Sequence, residues 1–267
     1  MRTSNDLTKL IGQSGFPLQA GVDQFVTSSI NSLGWKVLYR EHGWRFDDHQ
    51  SGFIDLVLED RYGTSVLVIE CKRVLESDWV FLDTSPTKSN SKETRLWATN
   101  TANHGQEHCG FFDARSLPES PESMFCVVAG QDAKSRPMLE RLAAETIASV
   151  EALALEEHPV IAKRQYGLRM YVPVIITTAK LHLSRFDPGN VNLATGEPAD
   201  VAHEEIKWVR FRKQFSSDVA VAPRNVEWDF SELARAKEKQ IFVVNVLAFP
   251  EFLSQWKVID SSLGRLM

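Results

Sequence analysis

Residues 53–74 read FIDLVLEDRYGTSVLVIECKRV, two apolar runs that carry Asp55, Glu70 and Lys72 among Ile, Leu and Val. The pattern predicts strands over Phe53–Leu58 and Val66–Cys71, and the link Glu59 to Ser65, with Gly63 inside it, is short enough for an antiparallel hairpin. Residues two apart on a strand share a face, so Glu70 and Lys72 point the same way. The hairpin then brings Asp55 beside them. An ionised side chain in apolar surroundings costs several kcal/mol unless it meets a partner or an ion. One compensation is a salt bridge in which Lys72 neutralises the acids. The other is a hard divalent cation held by the two carboxylates through oxygen, with the lysine orienting or helping to deprotonate a water that attacks a phosphodiester.

Upstream, Gly15-Phe16-Pro17 forms a helix entry, and Leu18, Val22, Phe25, Val26, Ile30 and Leu33 recur at helical spacing up to Gly34. Trp35–Tyr39 alternates like a strand. The local order is therefore helix, strand, strand, strand. Downstream, Met124–Ala129, Met170–Thr177, Lys180–Arg185, Ile206–Arg212 and Ile241–Leu247 read as strands. Met138–Leu155 reads as an amphipathic helix, and Pro250 opens a short terminal one. Residues 83–123, rich in Ser, Thr, Asn and Pro, read as a loop-rich insertion with one short helix at most. No linker divides the chain, which is expected to form one α/β domain over residues 1–267.

The spacing of an acid before Glu-x-Lys or Asp-x-Lys is weak by itself. It recurs as Asp113 before Asp132 and Lys134, and as Asp200 before Glu205 and Lys207. Context selects the first set, because only Asp55 and Glu70 lie inside apolar strand runs. In that context the ordered series SGFPLQ, GWKV, FIDLVLE and VLVIECKR, followed by Asp78-Trp79-Val80-Phe81, resembles the PD-(D/E)XK, or restriction-endonuclease-like, nuclease superfamily over residues 14–82. The resemblance implies a mixed β-sheet core flanked by helices, running helix, strand, strand, strand, helix, strand. It also implies Mg²⁺ (or Mn²⁺) held by Asp55, Glu70 and the backbone carbonyl of Cys71, with Lys72 as the catalytic lysine and DNA as the expected substrate.

One position departs from the pattern. Many members of the superfamily carry a glutamate early in the first helix, and Gln19 stands there. An amide offers oxygen but no charge, which weakens the case for a second ion. Asp23, one turn later, is the nearest substitute. The same departure raises the alternative of a catalytically inactive nuclease-fold module that binds nucleic acid or a partner protein.

The 267 residues are 43% hydrophobic and 24% charged, with a net charge of −5. That balance argues against a surface that grips polyanions everywhere. Local basic groups remain: Lys88, Lys92 and Arg95 near the insertion, and Lys207, Arg210, Arg212 and Lys213 along one strand. The second group is equally well explained as a solvated strand face. Trp79 and Phe81 are expected to pack in the core rather than line a groove. His104, His108 and Cys109 are zinc-ligand types without a second cluster, and they read as an ordinary polar loop. Three cysteines in no framework spacing, with no signal-like or membrane-length apolar run, fit a cytoplasmic protein. No recognition module adjoins the core, so substrate binding is left to the insertion, a homodimer partner or another subunit.

Overall fold

The computed structural model describes residues 3–46, 50–75, 77–84, 90–101, 108–130, 137–164, 167–215 and 237–259, with single positions 234, 261 and 263. In chain order the elements are α1 (Ser4–Gln13), α2 (Phe16–Ser28), α3 (Ile30–Leu33), β1 (Trp35–Arg45), β2 (Ser51–Asp60), β3 (Ser65–Lys72), β4 (Asp78–Asp83), β5 (Ser91–Asn100), β6 (His108–Ser120), β7 (Glu122–Ser123) and β8 (Phe125–Val128). There follow α4 (Met138–Ile161), β9 (Leu168–Thr177), β10 (Lys180–Arg185), β11 (Ala202–Ile206), β12 (Trp208–Lys213), β13 (Lys239–Asn245), α5 (Phe249–Gln255) and β14 (Lys257–Val258).

The larger sheet runs β1-β2-β3-β9-β13-β12-β7, with β5, β6 and β14 branching from it. β2 lies antiparallel to both β1 and β3, while β9 lies parallel to both β3 and β13. One edge of β9 is taken by β3. Its other edge is shared, by β5 at Leu168–Tyr171 and by β13 at Val174–Thr177. A second sheet runs β11-β10-β4-β8. The molecule is thus a mixed α/β fold in which a large mixed sheet is flanked by helices.

Helices on opposite faces explain why β2 and β3 read as almost continuous apolar runs. Val22 and Val26 of α2 share a core with Leu56, Leu58, Leu67 and Ile69. Val57, Val66 and Val68, of opposite parity, join Val150, Leu153 and Ala154 of α4. The hairpin forms as expected, with Leu58 opposite Leu67 and Gly63 at φ 69° in the turn. Gly34, at φ 71°, ends the first helical region where expected, since only glycine enters that conformation without a steric cost. Trp79 and Phe81 are fully buried in a third core with α4, as expected for packing residues.

The polar start folds as α1, closed by a capping box between Thr3 and Asp6. The insertion is a larger correction. Residues 91–100 and 108–120 form long antiparallel strands rather than a loop. Their polar side chains hid the alternation, because Thr94, Thr99, Asn100, Ser116 and Ser120 are buried, Thr94 and Ser116 bonded to each other and Ser120 donating to the Pro121 carbonyl. The run Ile206–Arg212 is also divided, since β11 ends at Ile206 in one sheet and β12 begins at Trp208 in the other.

A buried polar network ties α4 to the sheet. Arg169 on β9 donates to Glu157 of α4, to Glu59 of β2 and to the Gly63 carbonyl, and the Tyr171 hydroxyl also donates to Glu157. Among the described residues, no helix is long and apolar enough to cross a membrane.

Candidate active site

The β2–β3 ladder pairs Leu56 with Ile69 and stops there. Asp55 and Glu70 are the next residue on each strand, so both acids stand where the two strands part. β3 continues beyond this point on its other edge, pairing through Lys72 with Thr177 of β9. Strand β1 shows the same interruption: Arg40 pairs with Leu56 and His42 with Ile54, while the intervening Glu41 takes φ 46°. A left-handed conformation at a residue other than glycine is strained and persists only where its surroundings impose it. Three acids from three adjacent strands therefore lie at the same end of the sheet.

The amide of Gln19 spans two of them. Its Nε2 donates to the Glu41 carboxylate and, at 3.1 Å, to the Asp55 carbonyl oxygen. Asp55 Oδ2 in turn accepts the Cys71 backbone N–H at 2.7 Å. The start of α2 closes the group, since a Cβ on Gly15 would stand 4.0 Å from the Cys71 carbonyl oxygen.

The electrostatics follow from this crowding. Burial raises the Asp55 pKa, the Cys71 amide lowers it, Glu41 raises it and Lys72 lowers it, for a net upward shift. Burial pushes Glu70 up to about 8; Asp55, Glu145 and Glu41 add to the rise and Lys72 opposes it. Burial, reinforced by the same acids, keeps the Cys71 thiol protonated. Among the described residues no hydrogen-bond donor reaches the Glu70 carboxylate, and no ion pair joins Lys72 to Asp55 or Glu70. The salt-bridge compensation expected for a purely structural trio is therefore not made. Lys72 acts on both acids through space only.

The expected site residues thus divide clearly. Gln19, Asp55, Glu70, Cys71 and Lys72 come together at one sheet end. Asp23 does not join them, because Arg40 holds its carboxylate through two hydrogen bonds of 2.6 and 2.8 Å. The acid that Gln19 does hold beside Asp55 is Glu41. Sequence reading ended the first strand at Tyr39 and so left Glu41 outside the sheet. Its only local signal is a polar Arg-Glu-His break inside a longer strand. No three His, Cys, Asp or Glu side chains among the described residues converge closely enough to form a metal cluster by themselves. The donors available to a hard cation are two carboxylates and a carbonyl, a set that suits Mg²⁺, which keeps several waters.

The other sets do not assemble. Lys207 pairs with Glu251 at 2.6 Å, and Asp200 lies in a turn at φ 52°. Asp132, Lys134, Lys88 and His104 fall outside the described residues. His108 Nε2 lies 3.2 Å from the Gly110 carbonyl oxygen. The basic candidates are largely engaged within the fold: Lys92 with Glu119, Arg95 with Asp113, Arg212 with Glu238 and Lys213 with Glu140. Arg210 is fully buried, donating to Ser91 and Pro118 carbonyls, so it belongs to no solvated strand face. Burial lowers its pKa to about 10. Comparison with known proteins returned no match to a family model, a curated protein or a solved structure.

Proposed function

We propose that the chain is a restriction-endonuclease-like nuclease that hydrolyses phosphodiester bonds, in DNA, with Mg²⁺ or Mn²⁺ as cofactor. The observation that carries this reading is Glu70: a carboxylate partly buried beside a second acid, with no protein donor reaching it among the described residues. Such a group is tolerated when a cation completes it or when it keeps its proton. The order α2, β1, β2, β3, α4, β9 supports the same reading, since with α3 and strands β4–β8 interposed it follows the core that the resemblance implies.

Asp55, Glu70 and the Cys71 carbonyl would hold the cation, which would neutralise phosphate charge and lower the pKa of an attacking water. Each residue of the chain then has a separate task. The Cys71 amide fixes one Asp55 oxygen and leaves the other directed to a ligand. Gln19 holds Glu41 against the back of Asp55 and keeps the sheet end closed. Lys72, which makes no ion pair with either acid among the described residues, would supply an ammonium that donates to and orients the attacking water or the phosphate oxygen.

The test is incubation of the purified protein with plasmid and linear DNA in Mn²⁺. Cleavage is expected from the native chain and is expected to disappear in Glu70→Ala and Lys72→Ala; cleavage unchanged in either variant refutes the assignment.

Gln19 favours one other reading, a catalytically inactive module of the same fold that binds nucleic acid or a partner. Calorimetric titration with Mg²⁺ and Mn²⁺ separates the two. Binding at millimolar or better that is lost in Asp55→Asn belongs to the enzyme, and absence of binding belongs to the module.

A further inference from the structure

Two phenylalanine rings at the proposed site face solvent. Phe16 is 71% exposed and Phe53 is 69% exposed, although fully exposing a large apolar side chain forgoes about 1.5–3 kcal/mol of burial. Single exposed apolar residues are common and need no explanation. These two are joined by position. Phe16 opens α2 immediately after Gly15, which approaches the Cys71 carbonyl, and it precedes Gln19 by one helical turn. Phe53 lies two residues before Asp55 on β2.

The neighbour of Phe53 sharpens the point. Across the β1–β2 ladder it faces Gly43, and a Cβ at that position would stand 3.6 Å from the ring. With no side chain opposite, the ring keeps a face open to a flat group. Lys72 ends β3 and supplies positive charge near the acids.

We infer that Phe16 and Phe53 are stacking platforms for unpaired bases, and that the substrate presented to this site is single-stranded nucleic acid. The inference rests on reading the adjacent acids as a phosphodiester site. A backbone lying across Asp55 and Glu70 would carry its bases outward, toward the start of α2 and the part of β2 before Asp55 that bear the two exposed rings. In a duplex those bases are paired and stacked on one another, so a phenyl ring beside the helix finds no base face. In a single strand each base offers one, and such stacking is sequence-tolerant.

The experiment uses fluorescence anisotropy with the full chain in Ca²⁺ and three labelled probes: a mixed-sequence 20-mer single strand, the duplex of the same sequence, and the single strand with abasic central positions. The single strand is expected to bind more tightly than the duplex. Phe16→Ala and Phe53→Ala are each expected to weaken single-strand binding by about 5- to 100-fold, with Phe→Trp at either position restoring it. Neither alanine variant is expected to change binding of the duplex or of the abasic strand. Both rings are at the surface, so far-ultraviolet dichroism is expected to match the native chain. Duplex binding as tight as single-strand binding, or single-strand binding unmoved by both alanine variants, overturns the inference. Cleavage of the duplex in Mn²⁺ that is faster than cleavage of the single strand overturns it too, while the metal-nuclease reading stands. Phe-dependent strand binding with no hydrolysis removes the nuclease reading alone.

Discussion

The carboxylate of Asp55 accepts the backbone N–H of Cys71 at 2.7 Å, one residue past the last β2–β3 pair. A side chain thus takes over the ladder where the strands separate, and the acid is oriented by the backbone whose carbonyl is its proposed co-ligand. Asp55→Ala should orphan that amide as well as remove a charge. A loss of about 1–3 kcal/mol is expected in urea unfolding, whereas Asp55→Asn, which keeps an acceptor, should lose metal binding with less than half of that destabilisation.

Glu70 makes stability depend on pH. Its folded pKa of about 8 lies above its ordinary 4.5, so between those values the folded chain keeps a proton that the unfolded chain has released. The contribution is complete below pH 4.5 and is lost as pH rises through 8. The melting temperature without metal is expected to fall across that window. Glu70→Gln should flatten the fall and be the more stable protein at pH 8.5, by about 1–3 kcal/mol. A steeper fall in the variant contradicts the burial argument.

The same linkage acts on cation binding. A cation favours the ionised carboxylate, so Mn²⁺ affinity should strengthen about tenfold per pH unit below 8 and level off above it. Titration calorimetry at pH 6, 7, 8 and 9 measures this directly. A flat profile contradicts Glu70 as a ligand.

Gln19→Glu would place a third carboxylate against Glu41 and Asp55 and remove the amide donor. Without metal it is expected to destabilise by about 1–3 kcal/mol, as a lost donor and a like-charge contact require. Saturating Mn²⁺ should recover most of this, if the added acid reaches the cation. Paired thermal melts with and without the ion decide it.

Away from the site, Arg169 bridges Glu59 and Glu157 in a buried network. Arg169→Ala leaves the buried Glu157 without its cation and Glu59 with Lys36 alone, and about 3–5 kcal/mol of destabilisation is expected in denaturant titration. Native metal affinity, measured below the unfolding transition, should be unchanged.

Hydrophobic period and punctuation made the centre of the fold legible. The α2 face from Leu18 to Leu33, the β2–β3 hairpin, α4 and β9 all bury apolar residues at regular spacing, and Pro17, Gly34 and Gly63 mark their ends. The same contrast exposed Asp55, Glu70 and Lys72, because charge is conspicuous only against an apolar background. β5 and β6 escaped since several of their interior positions are Thr, Ser and Asn, among them Thr94 and Ser116 bonded to each other, a compensation that single positions do not advertise. Glu41 escaped for a different reason. Its role comes from a backbone twist to φ 46° and from Gln19 arriving across 22 positions of chain, and neither is written in local composition.

Because β9 is clasped by β3 along one margin and by β5 and then β13 along the other, the scaffold behind Glu70 is assembled from segments at both extremes of the chain. A shortened version ending after residue 185 would strip the partner from Val174–Thr177, baring main-chain amides directly behind the acids. Efforts to carve out a minimal fragment from residues 14–185 should therefore yield sticky, edge-exposed protein, and engineering is better directed at surface loops than at trimming.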